Sequence, residues 1–109
     1  MHFYLDFYMS GIGMMREFNL GWFNVNTKEY EKDFFKEPYE LLTMSGNISL
    51  KDNGIFPHIH VSFSGYDKKV IGGHLFSGTV CNTVELFIEK LNIELYRKQG
   101  EYFRPLIFK

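Results

Sequence analysis

The stretch FPHIHVSFSGYDKKVIGGHL, residues 56–75, contains three of the four histidines in this chain of 109 residues. Polar and apolar side chains alternate through its first half. A β-strand directs successive side chains to opposite faces of its sheet, so this alternation predicts a strand with one apolar face and one face that carries two imidazoles. The apolar set, which we expect to pack inward, is Ile59, Val61 and Phe63, and the opposite set is His58, His60 and Ser62.

Residues 65–68, GYDK, are typical of a turn, and the segment that follows predicts the returning strand of a hairpin. The register of this hairpin decides which face His74 joins. A loop of about three residues places His74 opposite His58 or His60, whereas a loop of about two or four residues places it on the other face unless a bulge intervenes. The glycine pair 72–73 can accommodate such a bulge or a close backbone approach. Either route brings three imidazoles together.

The rest of the chain also consists of short β-rich runs separated by glycine, asparagine and aspartate. No segment predicts a clean, capped helix longer than about three turns. Residues 83–90 also fit a helical spacing, but their β-branched and aromatic content favours a strand. We therefore expect a largely antiparallel β domain with few helices. Its further strands are predicted at residues 3–9, 20–25, 28–35, 39–50 and 83–90, with a tight loop at 10–13 and turns at 24–28 and 52–54.

Composition indicates a single domain, residues 1–109, whose aromatic content of 18% is ample for a packed core and for surface buried between subunits. The formal net charge is −1, and the chain has no basic tract of the kind that unaided nucleic-acid binding needs. The single cysteine, Cys81, excludes an internal disulfide and is more typical of a small buried residue than of a nucleophile. The absence of a signal peptide and of a long apolar run favours a soluble, cytoplasmic protein with no membrane partner.

Three converging neutral imidazoles from His58, His60 and His74 are good ligands for zinc or another divalent metal, with a fourth position left for water or a ligand. Glu85 and Ser62 are candidate partners that could orient an imidazole from behind. The alternative is that the histidines bond to backbone groups or line a subunit contact. Gly11-Ile12-Gly13 lacks the third glycine of a dinucleotide-binding fingerprint and the lysine of a phosphate-binding loop, so no cofactor-binding or catalytic residue is assigned.

Several motifs together resemble one family, the plants and prokaryotes conserved (PPC) domain. They are SGIG at 10–13, LGWFN at 20–24, YELLTMSGNIS at 39–49, PHIHVSFS at 57–64, VIGGHLFSGTV at 70–80 and TVELFI at 83–88. The resemblance covers a core of about residues 10–90 and is strongest where H-x-H is followed by G-G-H-L-x-x-G and T-x-E.

The resemblance implies an α/β (α+β) fold, a largely antiparallel sheet with a flanking helix, assembled as a homotrimer. Plant members carry the domain behind AT-hook motifs and act as DNA-binding nuclear proteins, and prokaryotic members are single domains. The implied metal ligands are His58, His60 and His74, with Glu85 nearby. The implied loop-shaping residues are Gly72, Gly73 and Gly78.

Two departures from the family pattern stand out. The chain has no AT-hook core, so minor-groove binding through such an arm is not expected. About nine residues precede the SGIG motif, where the family has a strand and a helix, so we expect that part to be missing. The resemblance favours a non-enzymatic, DNA-associated regulatory protein with a histidine metal site. The alternative is a metal-dependent enzyme or a small-ligand-binding trimer without a direct nucleic-acid role.

Overall fold

The computed structural model describes residues 7–51, 54–91, 95–97 and 106–108. These residues form a single seven-stranded sheet. The strands are β1 (Phe7–Asn24), β2 (Glu29–Phe35), β3 (Tyr39–Lys51), β4 (Gly54–Ser64), β5 (Val70–Lys90), β6 (Leu95–Arg97) and β7 (Leu106–Phe108). Their order across the sheet is β2-β1-β5-β4-β3-β6-β7, and all pairs are antiparallel except β3–β6.

Four strands close into a ring of pairings, because β1 pairs with β3 as well as with β5, and β4 joins β5 to β3. The N-terminal half of β1 lies between β3 and β5. Its C-terminal half lies between β5 and β2. Ring closure leaves these four strands with few unpaired edges.

The largely antiparallel sheet is confirmed, whereas the α/β label is not. The described ranges, 7–51, 54–91, 95–97 and 106–108, contain no helix. No helix in those ranges is therefore long and apolar enough to cross a membrane. The predicted turn at residues 52–54 falls partly outside the described residues, as do residues 3–6 of the first predicted strand.

The tight loop predicted at residues 10–13 is wrong, since β1 runs through this segment without a turn. The register slips here instead, between Gly11 and Gly13 against β3 and between Gly13 and Met15 against β5. Gly13 has φ 155°, and a Cβ there would collide with the carbonyl oxygen of Thr83. The glycines thus permit a bulge and a close strand approach rather than a reversal.

The returning strand of the predicted hairpin and the predicted strand 83–90 are parts of one strand, β5 (Val70–Lys90), so residues 76–82 between them do not form a loop. Asn82 takes φ 64° inside β5. Asparagine tolerates this left-handed conformation better than most residues, which allows an irregularity without ending the strand. The helical alternative for residues 83–90 is also excluded.

The core lies on the apolar face of the strand alternation. Phe18 and Phe63 are fully buried and stack with ring centroids 4.1 Å apart. Phe35 and Tyr39 pack against Phe18 at 5.3 and 5.4 Å. The other buried apolar residues are Met9, Met15, Leu20, Leu41, Met44 and Val61. Because Val61 and Phe63 point inward, the histidines of β4 point to the opposite face.

Candidate metal centre

The β4–β5 hairpin brings His58, His60 and His74 together. His60 lies directly opposite His74, and the pairing continues to Ser64 opposite Val70 without a register shift. The connection, residues 65–69, is longer than the three-residue loop considered from the sequence, but it also has an odd number of residues. An odd loop keeps His74 on the face of His58 and His60, so no bulge between β4 and β5 is needed.

The three imidazoles lie within the reach of one ion. Each offers a nitrogen, and these nitrogens all lie within 4.8 Å of one another. The ring centroids of His58 are 5.0 Å from His60 and 5.3 Å from His74, and those of His60 and His74 are 5.7 Å apart. Nitrogens that share a tetrahedral zinc ion at about 2.0–2.1 Å lie about 3.3–3.4 Å apart. Small side-chain rotations therefore suffice to bind an ion.

Gly73 allows β5 to approach β1 closely beside His74. It has φ 156°, and a Cβ there would lie 2.7 Å from the carbonyl oxygen of Gly21. Gly21 is itself the partner of His74 across the β1–β5 ladder. The family resemblance implied that Gly72, Gly73 and Gly78 shape a loop, but all three lie within β5. Their role is close strand packing, because the turn lies earlier, at residues 65–69.

Aromatic rings from β5 and β2 pack around His74. Its ring centroid lies 4.4 Å from that of Phe76 and 5.2 Å from that of Tyr30. Tyr30 and Phe76 meet edge to face at 5.1 Å. The ammonium of Lys32 lies over the Phe76 ring, 4.1 Å from its centroid, in a cation–π contact. His74 therefore has Tyr30 and Lys32 of β2 and Phe76 of β5 as neighbours, and none of these residues belongs to β4.

The surroundings of His74 favour a neutral imidazole. Desolvation by burial lowers the pKa of His74 below its usual 6.5, and the positive charges of His60 and Lys32 act in the same direction. Its Nδ1 is buried and has no hydrogen-bond partner among the described residues. A neutral imidazole with a free nitrogen is the form that binds a metal ion.

Ser62 and Glu85, which were predicted to orient the imidazoles, have other neighbours in the structure. Ser62 shares the histidine face, but its hydroxyl is 2.7 Å from that of Thr43 on β3. Glu85 is exposed and lies opposite Ile12, nine residues along β1 from the partner of His74. The predicted contact of Glu85 with an imidazole is therefore not supported by the β1–β5 register. Cys81 is a free, partly buried thiol.

Sequence reasoning missed Tyr30, Lys32 and Phe76 as neighbours of the site. The strand alternation carried part of the signal, because Phe76 shares the face of His74 and Tyr30 shares that of Lys32. The pairing of β2 with β1, which brings Lys32 beside Gly21, depends on a register that alternation alone does not give.

Comparisons with solved structures identify similar folds. A metal-containing protein from Archaeoglobus fulgidus is 37% identical, with a TM-score of 0.85 over 97% of this chain and 75% of that one. A PPC protein from Pyrococcus horikoshii is 36% identical, with a TM-score of 0.83 over 91% of this chain and 69% of that one. A candidate DNA-binding protein from Bacteroides thetaiotaomicron is 27% identical, with a TM-score of 0.87 over 97% of this chain and 74% of that one.

A comparison with curated proteins found no match. The family model of the Plants and Prokaryotes Conserved domain, abbreviated PCC or PPC, matches residues 6–92. This range includes the four strands of the ring and all three histidines of the candidate metal centre. The resemblance stated from the sequence motifs is thereby confirmed. The chain belongs to the Plants and Prokaryotes Conserved domain family.

Proposed function

We propose that this chain is a metal-binding PPC-domain protein in which His58, His60 and His74 hold one divalent ion, with zinc as the first expectation. The observation that carries the proposal is the convergence of three imidazole nitrogens within 4.8 Å. The unpartnered, buried Nδ1 of His74 supports it, because a buried polar atom without a partner is costly unless something binds it. The name of the Archaeoglobus relative, a metal-containing protein, agrees with it.

The residues present suit a borderline metal. Imidazole nitrogens prefer zinc, copper, nickel and iron over calcium or magnesium, which take oxygen ligands. An ion held by three protein ligands keeps a position for water or another ligand and can polarise it as a Lewis acid. The chain's own part is to present three neutral nitrogens on one rigid hairpin and to shield His74 with aromatic rings.

Metal analysis of untagged protein tests this proposal. We expect close to one divalent ion per chain after gentle purification and at least about a 100-fold loss of affinity in His58→Ala, since losing a direct ligand exceeds the effect of losing its support. His2→Ala is the matched control, because it removes a histidine and keeps all three proposed ligands. Metal content below about 0.1 ion per chain, or unchanged content in His58→Ala, would contradict the site.

We further propose a DNA-associated regulatory role as the context in which this site works. The family and the Bacteroides relative, named as a candidate DNA-binding protein, support it. The net charge of −1 predicts weak direct binding, because phosphate contacts need clustered lysine and arginine. Retardation of AT-rich DNA at about 50 mM salt that weakens steeply with added salt is the expected result. No retardation under these conditions would count against direct DNA binding.

The third part of the proposal is a homotrimer. Apolar side chains lie exposed on the C-terminal half of β5, where Val80, Leu86, Phe87 and Ile88 are each about half exposed or more. Exposed apolar surface of this extent is typical of surface that is buried in an assembly. A metal-dependent enzyme is the alternative to a binding role. We assign no catalytic residue to it.

A further inference from the structure

A row of residues crosses four strands on the face that carries the candidate metal centre. Lys32 of β2 lies opposite Gly21 of β1, Gly21 lies opposite His74 of β5, and His74 lies opposite His60 of β4. Neighbouring strands are about 4.8 Å apart, so the backbones of Lys32 and His74 lie about 10 Å apart. Because Gly21 has no side chain, the Phe76 ring fills the space above it, and the ammonium of Lys32 lies over this ring on the side of the imidazoles.

The charge of this row is positive and is not balanced by the protein. The ligand group contains three imidazoles and, among the described residues, no carboxylate. The acids that flank Lys32 in sequence, Glu31 and Asp33, point to the other face of β2. There they line a separate cavity of about 320 Å³ together with Trp22 and Ile71. A divalent ion on three neutral ligands would thus keep its full double charge.

Lys32 is held on the same side of the sheet as the imidazoles. Its ammonium lies 4.1 Å from the centroid of Phe76, and that ring contacts His74 at 4.4 Å. An ammonium beside an uncompensated divalent ion weakens metal binding through repulsion. An anion that contacts both the ammonium and the ion changes this repulsion into mutual support. The ion helps to bind the anion, the ammonium helps to bind the same anion, and the bound anion then strengthens metal binding.

We propose that the open position of the ion takes an oxyanion of a small molecule, a carboxylate or a phosphate, and that Lys32 is the second contact of this anion. The inference rests on the proposed metal site. Tyr30 and Phe76, which are 41% and 37% exposed, pack against His74 and place aromatic surface beside this imidazole. The chain's net charge of −1 favours a small anion over a long polyanion such as DNA.

The test measures how an anion changes the affinity for the metal. Cobalt(II) serves as the probe ion, because its visible absorption reports coordination directly, and an indicator calibrated in each buffer gives its dissociation constant. For the unaltered protein, we expect acetate or inorganic phosphate to tighten cobalt binding about tenfold, within the usual range of couplings between two sites. The cobalt spectrum should change at the same time.

Lys32→Gln should act in opposite directions in the two conditions. Without an oxyanion it should bind cobalt about two- to threefold more tightly, because a nearby positive charge is lost. With the oxyanion, the tightening should fall to about threefold or less. Lys32→Arg should retain the coupling, and Lys90→Gln, at the far end of β5, should behave as the unaltered protein.

The outcomes separate the two proposals. If the protein binds no cobalt, the metal site and the oxyanion site both fail. If it binds cobalt but neither acetate nor phosphate tightens binding, or if Lys32→Gln couples as strongly as the unaltered protein, the oxyanion site is overturned and the metal site stands. Coupling to a DNA oligonucleotide alone would also overturn a small-molecule site. Tightening by acetate alone supports a carboxylate ligand, and tightening by phosphate alone supports a phosphate ligand.

Discussion

At the scale of single residues, His74 combines three demands. Its imidazole must be neutral to hold the proposed ion, its ring packs against Phe76 and Tyr30, and the ammonium of Lys32 lies nearby. Burial, His60 and Lys32 lower the pKa of His74 in the folded protein below 6.5. In the unfolded chain the same imidazole is solvated and keeps its ordinary pKa. The difference makes folding depend on pH.

The first prediction concerns the metal-free protein. Between the lowered folded pKa of His74 and its unfolded pKa near 6.5, the unfolded chain binds more protons. The free energy of unfolding should therefore fall as the pH drops below about 6.5 and be unaffected by His74 well above it. Urea midpoints with a chelator at about pH 7.5 and pH 5 measure this. His74→Asn should lose part of the pH dependence, and an unchanged dependence in that variant would assign the effect to other groups.

At the scale of elements, the β4–β5 hairpin shows what the sequence predicts well. The period of two assigned Val61 and Phe63 to the core and His58 and His60 to the other face, because this assignment needs no knowledge of partner strands. The loop length was harder to predict. In its turn the amide of Lys68 donates to the carbonyl of Gly65. Lys68 takes φ 65°, a left-handed conformation that is not expected for a lysine.

The boundaries of β1 and β5 could not be predicted for a different reason. Glycine favours both turns and bulges, and Asn82 likewise suits a turn. The choice between them is made by partner strands, since Gly13 and Asn82 lie in strands that are paired on both sides of the irregular point. That information is non-local. The sequence therefore predicts the type of most strands, but it divides two long strands into four short ones.

The second prediction tests the aromatic core that anchors the hairpin. Phe63 is fully buried and stacks on Phe18, so Phe63→Ala should lower the free energy of unfolding by about 3–5 kcal/mol. Val70→Ala, at an exposed position of β5, is the control and should cost less than about 0.5 kcal/mol. Urea denaturation measures both values. A loss below about 1 kcal/mol for Phe63→Ala would mean that this stack contributes little to stability.

At the scale of the whole molecule, the ring of four strands is the feature that no segment of the sequence indicates. It requires β1 to pair with β3 and β5 at once, and each strand taken alone is compatible with an open sheet. The PPC resemblance predicted the family correctly, because it rests on an ordered set of motifs rather than on local patterns. The same motifs added His74 to the predicted metal site.

The third prediction concerns assembly. Light scattering should give a mass about three times the 12.9 kDa of one chain. Phe87 is 63% exposed on β5 and lines a groove with Ile12 and Leu42, so Phe87→Asp should shift the mass toward one chain by burying a charge at the interface. Tyr66→Asp, at a turn position that is 99% exposed, should leave the trimer intact. A stable monomer for the unaltered chain would exclude the homotrimer.

The order in which the chain folds follows from where the three histidines lie. All of them belong to one hairpin, and hairpins form in about 1–10 μs, whereas domains dominated by distant strand pairings take milliseconds to seconds. We therefore expect the three histidines to meet before β1 joins β5 and before Lys32 takes its position beside them. A metal captured at that stage would reject a slip by one residue, because such a slip turns His74 to the wrong face. The ion would then select the correct β4–β5 register before the remaining strands pair with this hairpin.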